Sequence, residues 1–161
     1  MLKLSTPKLL LLQGVLLLGG MVFAWSRLLG QFQNFQELYG TLFRFRDCTL
    51  PNPILTACFY GSLAFVAAFI WSFTLVQHPT LVSQRRLRNF LLFGVVFAGS
   101  VVGYETADYF KWLPGPAVPV SCTPGINPLL TPCFYGLLFF LAAFLVSIVI
   151  TRRLGASRDI L

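Results

Sequence analysis

Acidic residues and histidine are scarce in this chain. Its 161 residues include five Asp and Glu side chains and a single histidine, His78, and charged residues make up 11% of the sequence. So little charge excludes the solvated surface of an ordinary soluble domain. One histidine provides no mixed Cys/His cluster, so we expect no metal site. We interpret His78-Pro79 as the end of a helix, because the residue before proline is driven out of the helical region.

Apolar residues dominate instead. They form 57% of the sequence, and the mean hydropathy is +0.77. A helix crosses the hydrocarbon core with about 20 apolar residues, and four stretches reach that length: 9–29, 54–76, 89 to about 109, and 129–150. We therefore predict an all-α membrane protein, a four-helix bundle with four transmembrane helices, as a single integral membrane domain over residues 1–161 in contact with the lipid bilayer.

The positive charge is distributed unevenly between the two ends of the predicted bundle. Lys and Arg in short loops stay on the cytoplasmic side, and one end would carry a net +7 while the other sums to zero. We therefore expect cytoplasmic termini, cysteine loops in the periplasm or outside the cell, and a bacterial inner membrane as the location. This topology signal requires no nucleic-acid partner. The basic residues at the positive end are Lys3, Lys8, Arg85, Arg86, Arg88, Arg152, Arg153 and Arg158.

A ten-residue segment occurs twice in the chain. NPILTACFYG at 52–61 returns 75 positions later as NPLLTPCFYG, with eight of ten residues identical. The likeness continues into the apolar stretch that follows each copy. We predict two direct hairpin repeats, at about 9–77 and 89–151, related by an axis along the membrane normal.

The four cysteines fall into two matched pairs, one in each repeat. Cys48 and Cys122 precede Cys58 and Cys133 by ten and eleven positions. Disulfides persist in the compartment that these loops would face, and four cysteines allow three connectivities. We favour bonds within each copy, Cys48 with Cys58 and Cys122 with Cys133, as structural staples that tie each outer loop to the start of a helix. Redox activity is the alternative.

The overall plan resembles the four-helix membrane oxidoreductases that pass electrons from periplasmic thiols to quinone. The length is similar, and a cysteine pair lies in each of two outer loops. The resemblance implies thiol–disulfide exchange with quinone as cofactor, its carbonyl oriented by Arg27, Arg44 or Arg46. Those enzymes, like the vitamin K epoxide reductases, use a Cys-x-x-Cys motif. Here nine and ten residues separate the paired cysteines.

Aromatic residues follow the second cysteine of each pair. Phe59-Tyr60 and Phe134-Tyr135 would lie at the depth where aromatic rings settle between headgroups and acyl chains. They are either plain anchors or, if the two copies face each other, the walls of a shared groove in the outer leaflet.

Two charges limit the apolar lengths of the first and third spans. Arg27 follows Lys8 after 18 uncharged residues, and Glu105 follows Arg88 after 16. Because a charge near mid-membrane costs about 2.5–3.5 kcal/mol, we predict that Arg27 and Glu105 form an ion pair at the interface. Separate snorkelling into the headgroups is the alternative.

The connecting segments also have distinct patterns. Apolar residues at helical spacing over 30–47 predict an amphipathic helix on the membrane surface or over the bundle. Residues 77–88 read as a basic inner turn, and the proline-rich segment 112–128 should be extended and tied by its disulfide.

The sequence favours a structural or accessory membrane protein, as a subunit of a larger assembly with other membrane proteins. The predicted spans contain no central charged side chain of the kind that builds ion sites, and the loops carry no nucleophile-base constellation. The alternatives are a quinone-linked thiol–disulfide oxidoreductase and one half of a carrier or channel.

Overall fold

Four long helices form the part of the chain that the structure describes. The computed structural model describes residues 5–41, 52–112 and 127–156. Its helices are α1 (Thr6–Tyr39), α2 (Ala57–Gln77), α3 (Leu81–Tyr109) and α4 (Pro132–Ala156). By length and composition, all four could cross a membrane. Within these residues, the prediction of an all-helical architecture with four helices long and apolar enough to span a membrane is therefore confirmed.

The first helix is longer than the sequence predicted. α1 has 34 residues, about 51 Å at 1.5 Å per residue, and ends at Gly40, whose φ of 66° suits a glycine and whose N–H bonds to Gln36. The surface helix expected over 30–47 is therefore wrong as far as Tyr39, because that stretch continues α1 without a break. Residues 42–51 lie outside the described part of the chain.

The turn between α2 and α3 is shorter than predicted. α2 ends at Gln77, directly before His78-Pro79, as expected from the sequence. α3 then begins at Leu81, and the Thr80 side chain accepts a hydrogen bond from the backbone N–H of Ser83. Because this cap starts the helix early, the arginines that were predicted in a turn belong to the first turns of α3.

The helices pack in a ring in chain order, each antiparallel to its neighbours. α1 contacts α2 and α4, and α3 contacts α4 and, less extensively, α2. We call the end where α2 and α4 begin the cysteine end, since it carries Cys58 and Cys133. The opposite end is the arginine end, which carries Arg85 and Arg86.

Two phenylalanines meet at the centre of the bundle. The rings of Phe65 on α2 and Phe140 on α4 stack with centroids 4.1 Å apart at 24°. Each ring also lies against a glycine of the preceding helix. Phe65 contacts Gly20 on α1, and a Cβ added to Gly94 on α3 would lie 2.8 Å from the Phe140 ring. Glycine is required here because the ring occupies the space of a side chain.

Polar side chains are buried nearer the arginine end. The Gln84 side-chain amide donates to the Gln13 carbonyl oxygen (3.1 Å) and to the Ser147 hydroxyl (3.0 Å), which links α3 to both α1 and α4. All three side chains are fully buried. Hydrogen bonds of this kind add specificity to helix packing in a membrane.

Buried positions recur along the chain at a nearly constant spacing. In α2 and α4, buried residues are 75 positions apart, and in α1 and α3 they are 74 apart. The extra residue falls between the two cysteines of the second pair. The matched buried positions are 10/84, 13/87, 17/91, 20/94, 65/140, 68/143, 72/147 and 75/150.

Replacement of Gly94 by alanine should destabilise the bundle. The new methyl group would meet the Phe140 ring, and overpacking of this kind costs about 1–3 kcal/mol. Gly99 on the same helix is the matched control, since nothing lies within 4 Å of an added Cβ there. We expect a lower thermal unfolding midpoint for G94A in detergent and an unchanged one for G99A. Equal midpoints would show that the ring does not depend on the glycine.

Candidate functional site

Matching turns position one cysteine at the start of α2 and one at the start of α4. The Asn52 and Asn127 side chains each accept a backbone N–H bond of 3.0 Å, from Ile54 and Leu129. These bonds begin the 3-10 turns Pro53–Leu55 and Pro128–Leu130.

A threonine then closes each turn and leads into the helix. Thr56 donates to the Pro53 carbonyl (2.7 Å) and Thr131 to the Pro128 carbonyl (2.8 Å). Cys58 and Cys133 follow as the second residues of α2 and α4.

The two helices bring these cysteines into contact. The sulfur atoms of Cys58 and Cys133 are 3.6 Å apart, although the residues are 75 positions apart in the chain. Cys133 is a free thiol, whereas Cys58 is disulfide-bonded, so the two sulfurs are not bonded to each other. The predicted Cys122–Cys133 bond is therefore absent from this structure. Cys48 and Cys122 lie outside the described residues.

A carboxylate lies beside the free thiol. Glu105 is in the last turns of α3, and its Oε2 atom lies 3.0 Å from the Thr131 hydroxyl oxygen, whose single proton it shares with the Pro128 carbonyl. Its carboxylate also lies close to the Cys133 thiol. Thr131 is the residue that caps α4, so the same side chain that starts the helix also holds Glu105 against Cys133.

An apolar cavity of about 320 Å³ adjoins the cysteine pair. Residues of all four helices line it, with Cys58 and Cys133 at one end and the rings of Phe65 and Phe140 deeper in the bundle. Most of its wall is apolar, and Arg27 is the positively charged residue that contributes to the lining. Such a wall suits a lipid-soluble ligand better than a hydrated solute.

Arg27 and Glu105 approach the site from different sides. The Arg27 guanidinium carbon lies 5.5 Å from the centre of the Phe23 ring, a cation–π contact within α1. Thr131 and Cys133 are two of the neighbours of Glu105, and no ion pair joins Arg27 to Glu105 within residues 5–41, 52–112 and 127–156. The sequence thus identified two residues of this region. Their partners in the structure are not each other, as predicted, but Phe23 for Arg27 and Thr131 for Glu105.

The two tyrosines that follow the cysteines have different neighbours. Tyr60 lines the cavity. Tyr135 instead packs on Phe23, with ring centroids 5.5 Å apart, at the contact between α1 and α4. Phe59 and Phe134 each pack edge to face on the tyrosine that follows. Because α2 and α4 occupy opposite corners of the ring of helices, their equivalent tyrosines face different neighbours.

Sequence reasoning missed the contact between the two inner cysteines, although a signal was present. Cys58 precedes Phe65 by seven residues, and Cys133 precedes Phe140 by seven. Seven residues are two helical turns, so each cysteine shares a helix face with its phenylalanine. Helices that bring the two rings together must therefore also bring the two sulfurs together.

Neither a metal cluster nor a related protein defines this site. Over residues 5–41, 52–112 and 127–156, no three His, Cys, Asp or Glu side chains are grouped so that they could hold a metal ion. Comparison with protein-family models, curated proteins and solved structures gave no match. The function is therefore inferred from the geometry of the site.

Replacement of Glu105 by glutamine should make Cys133 more reactive. Two unit charges about 4 Å apart repel by roughly 4 kcal/mol at intermediate dielectric, so the carboxylate opposes a negative charge on the neighbouring sulfur. We expect alkylation of Cys133 by a small maleimide, followed by mass spectrometry, to be at least about tenfold faster in E105Q. The matched control is D108N on the same helix, which should react at the wild-type rate. A wild-type rate in E105Q would mean that Glu105 does not control this thiol.

Proposed function

We propose that this chain is a membrane thiol–disulfide oxidoreductase whose reaction centre is Cys58 and Cys133. The observation that carries the proposal is the 3.6 Å separation of their sulfur atoms, with one a thiol and the other part of a disulfide. Thiol–disulfide exchange begins with the approach of a thiol sulfur to a disulfide sulfur, and this contact provides that approach.

The exchange step needs no external electron acceptor. Cys133 loses its proton and attacks the sulfur of Cys58 as the thiolate, a Cys58–Cys133 bond forms, and the bond between Cys58 and its present partner breaks. Because Glu105 opposes the negative charge on Cys133, this deprotonation limits the rate. The partner cysteine leaves as a thiolate and takes up the proton that Cys133 loses. The number of disulfides is unchanged, and the bond has moved from one pair of cysteines to another.

Two independent staples do not account for this geometry. A stapled accessory subunit requires a disulfide in each outer loop, but it does not require a free thiol of one half to touch a sulfur of the other. A carrier half would use a polar path, and the cavity at the cysteine end has a mainly apolar wall. Of the three functions considered from the sequence, exchange is the one that uses the observed contact.

The remaining sequence predictions fit the same proposal. Contacts that recur at spacings of 74 and 75 residues support an origin of the two halves from one duplicated hairpin. The excess of basic residues at the arginine end supports cytoplasmic termini, which would face the cysteine end toward the oxidising compartment of a bacterial inner membrane. Dithiols of that compartment are then the substrates.

Replacement of Cys133 by serine should abolish exchange. The assay uses the purified protein in nanodiscs and follows oxidation of a peptide dithiol by glutathione disulfide. Wild-type protein should accelerate this reaction and, after acid quenching and alkylation, yield a Cys58–Cys133 bond by mass spectrometry. C133S should leave the rate at background because the attacking sulfur is missing.

The control for C133S is a measurement of its thermal stability, which shows whether the variant is folded. C133S removes a thiol that forms no disulfide in the structure, so its thermal unfolding midpoint should stay near that of the wild type. Wild-type rates in C133S, or no Cys58–Cys133 bond at any time after mixing, would contradict the proposed function.

A further inference from the structure

The contact between α4 and α1 is filled with aromatic rings. A Cβ added to Gly19 on α1 would lie 3.2 Å from the Phe139 ring. Phe23 lies one turn further along α1, 6.3 Å from Phe139 between ring centroids. Because the glycine admits the large side chain of α4, the two helices interlock along this contact.

The equivalent contact between α2 and α3 lacks such a ring. By the spacings above, Ala64 on α2 corresponds to Phe139, and Phe93 on α3 corresponds to Gly19. Ala64 has no ring to insert, and the Phe93 side chain is 67% exposed. Both residues line the cavity of about 320 Å³. The loss of one aromatic ring thus leaves an apolar space between α2 and α3.

The opening of this space faces the bilayer. α2 and α3 are both long and apolar enough to cross a membrane, so acyl chains surround the gap between them. A void in a packed bundle loses dispersion contacts with its walls, and an acyl chain that enters the void restores them. Because the chain leaves surroundings that are equally apolar, its burial alone selects no particular lipid.

The cavity lining changes from polar to apolar in the same direction as a lipid molecule does. Arg27 and the two cysteines line the cavity at the cysteine end, whereas Phe65 and Phe140 line it deeper in the bundle. Arg27 comes seven residues after Gly20, which contacts Phe65, and this spacing is about 10 Å along the helix. A phospholipid with its phosphate beside Arg27 would therefore have an acyl chain against the two phenylalanine rings.

The charge beside the cavity determines which headgroup would bind. The Arg27 side chain is exposed, and its guanidinium has coplanar N–H donors that suit two oxygens of one phosphate. None of the described residues that line the cavity is acidic, and Glu105, although close to Cys133, is not among them. A headgroup with a net negative charge would neutralise Arg27, whereas a zwitterionic headgroup brings a second cation to the site.

We propose that the cavity between α2 and α3 binds an acidic phospholipid from the leaflet at the cysteine end, with its phosphate on Arg27 and an acyl chain in the space left by Ala64. The acyl chain occupies the position that the Phe139 ring fills in the other half, and it joins α2 to α3. This inference goes beyond the proposed function and does not depend on thiol chemistry.

Native mass spectrometry of the purified protein in detergent can measure this binding. The probes are palmitoyl-oleoyl phosphatidylglycerol, which is acidic, and the zwitterionic phosphatidylcholine with the same chains. The wild type should bind its first phosphatidylglycerol with a Kd about fivefold lower than its first phosphatidylcholine, the effect of one basic side chain near a lipid surface. R27M keeps an unbranched side chain without the charge, so it should bind both lipids with the Kd of phosphatidylcholine.

The matched control for R27M is K111M. Lys111 is another exposed basic residue at the cysteine end, and it is not among the lining residues. K111M should therefore keep the wild-type preference for phosphatidylglycerol.

A second pair of variants tests the acyl-chain site. A64F places a ring in the space between α2 and α3, so it should weaken the binding of both lipids at least about fivefold through overpacking. Ala67 lies three residues further along α2, is exposed, and is not among the lining residues. A67F should therefore leave both Kd values unchanged.

Three outcomes would overturn the inference. They are equal Kd values for the two lipids in the wild type, a preserved preference in R27M, and wild-type binding in A64F, which would place the lipid on the outer surface of the bundle. If A64F does not fold, the comparison of R27M with K111M still tests the site. All four variants retain Cys58 and Cys133, so lipid binding is judged separately from thiol exchange, and the failure of one leaves the other standing.

Discussion

The stacked rings of Phe65 and Phe140 hold the rest of the structure in place. Helices in lipid gain little from burying apolar surface, so close packing decides how they meet. Each ring lies against a glycine, Gly20 or Gly94, and this fixes the rotation of α2 and α4 about their own axes. Two turns toward the cysteine end, the same helix faces carry Cys58 and Cys133. The contact between the sulfurs is therefore a consequence of the packing of the core.

Much of the fold was predictable because its signals are local. Apolar runs locate the four helices, His78-Pro79 ends α2, and Pro132 begins α4. The prediction of a separate surface helix over 30–47 was wrong as far as Tyr39 for the same reason. Helical spacing over 30–39 cannot distinguish a new helix from the continuation of α1. The contacts of the cysteines depend on tertiary structure and could not be predicted from local sequence signals. The duplication suggested disulfides within each copy, but it did not predict the contact between Cys58 and Cys133, which depends on the rotation of α2 and α4 about their axes.

The cavity could not be located from sequence alone. Ala64 and Phe139 are visible as a mismatch between otherwise similar segments, but the consequence depends on which helices are neighbours. In this ring of four helices, α4 contacts α1 and α2 contacts α3. If the helices were arranged in another order, alanine at position 64 would leave only a shallow depression on the lipid-facing surface. Only the ring order turns the loss of one aromatic ring into a space beside the reactive sulfurs.

A symmetric pair of sulfurs could not direct electrons one way, so the proposed reaction depends on differences between two similar halves. Glu105 beside Cys133 corresponds, 74 positions earlier, to Gln31, a neutral amide. The carboxylate disfavours a charged sulfur at Cys133 and so favours the neutral thiol there, while the disulfide remains at Cys58. Ala64 breaks the likeness a second time, by opening one of two equivalent helix contacts. Duplication explains why the sulfurs meet, and the two departures from it explain how they come to differ.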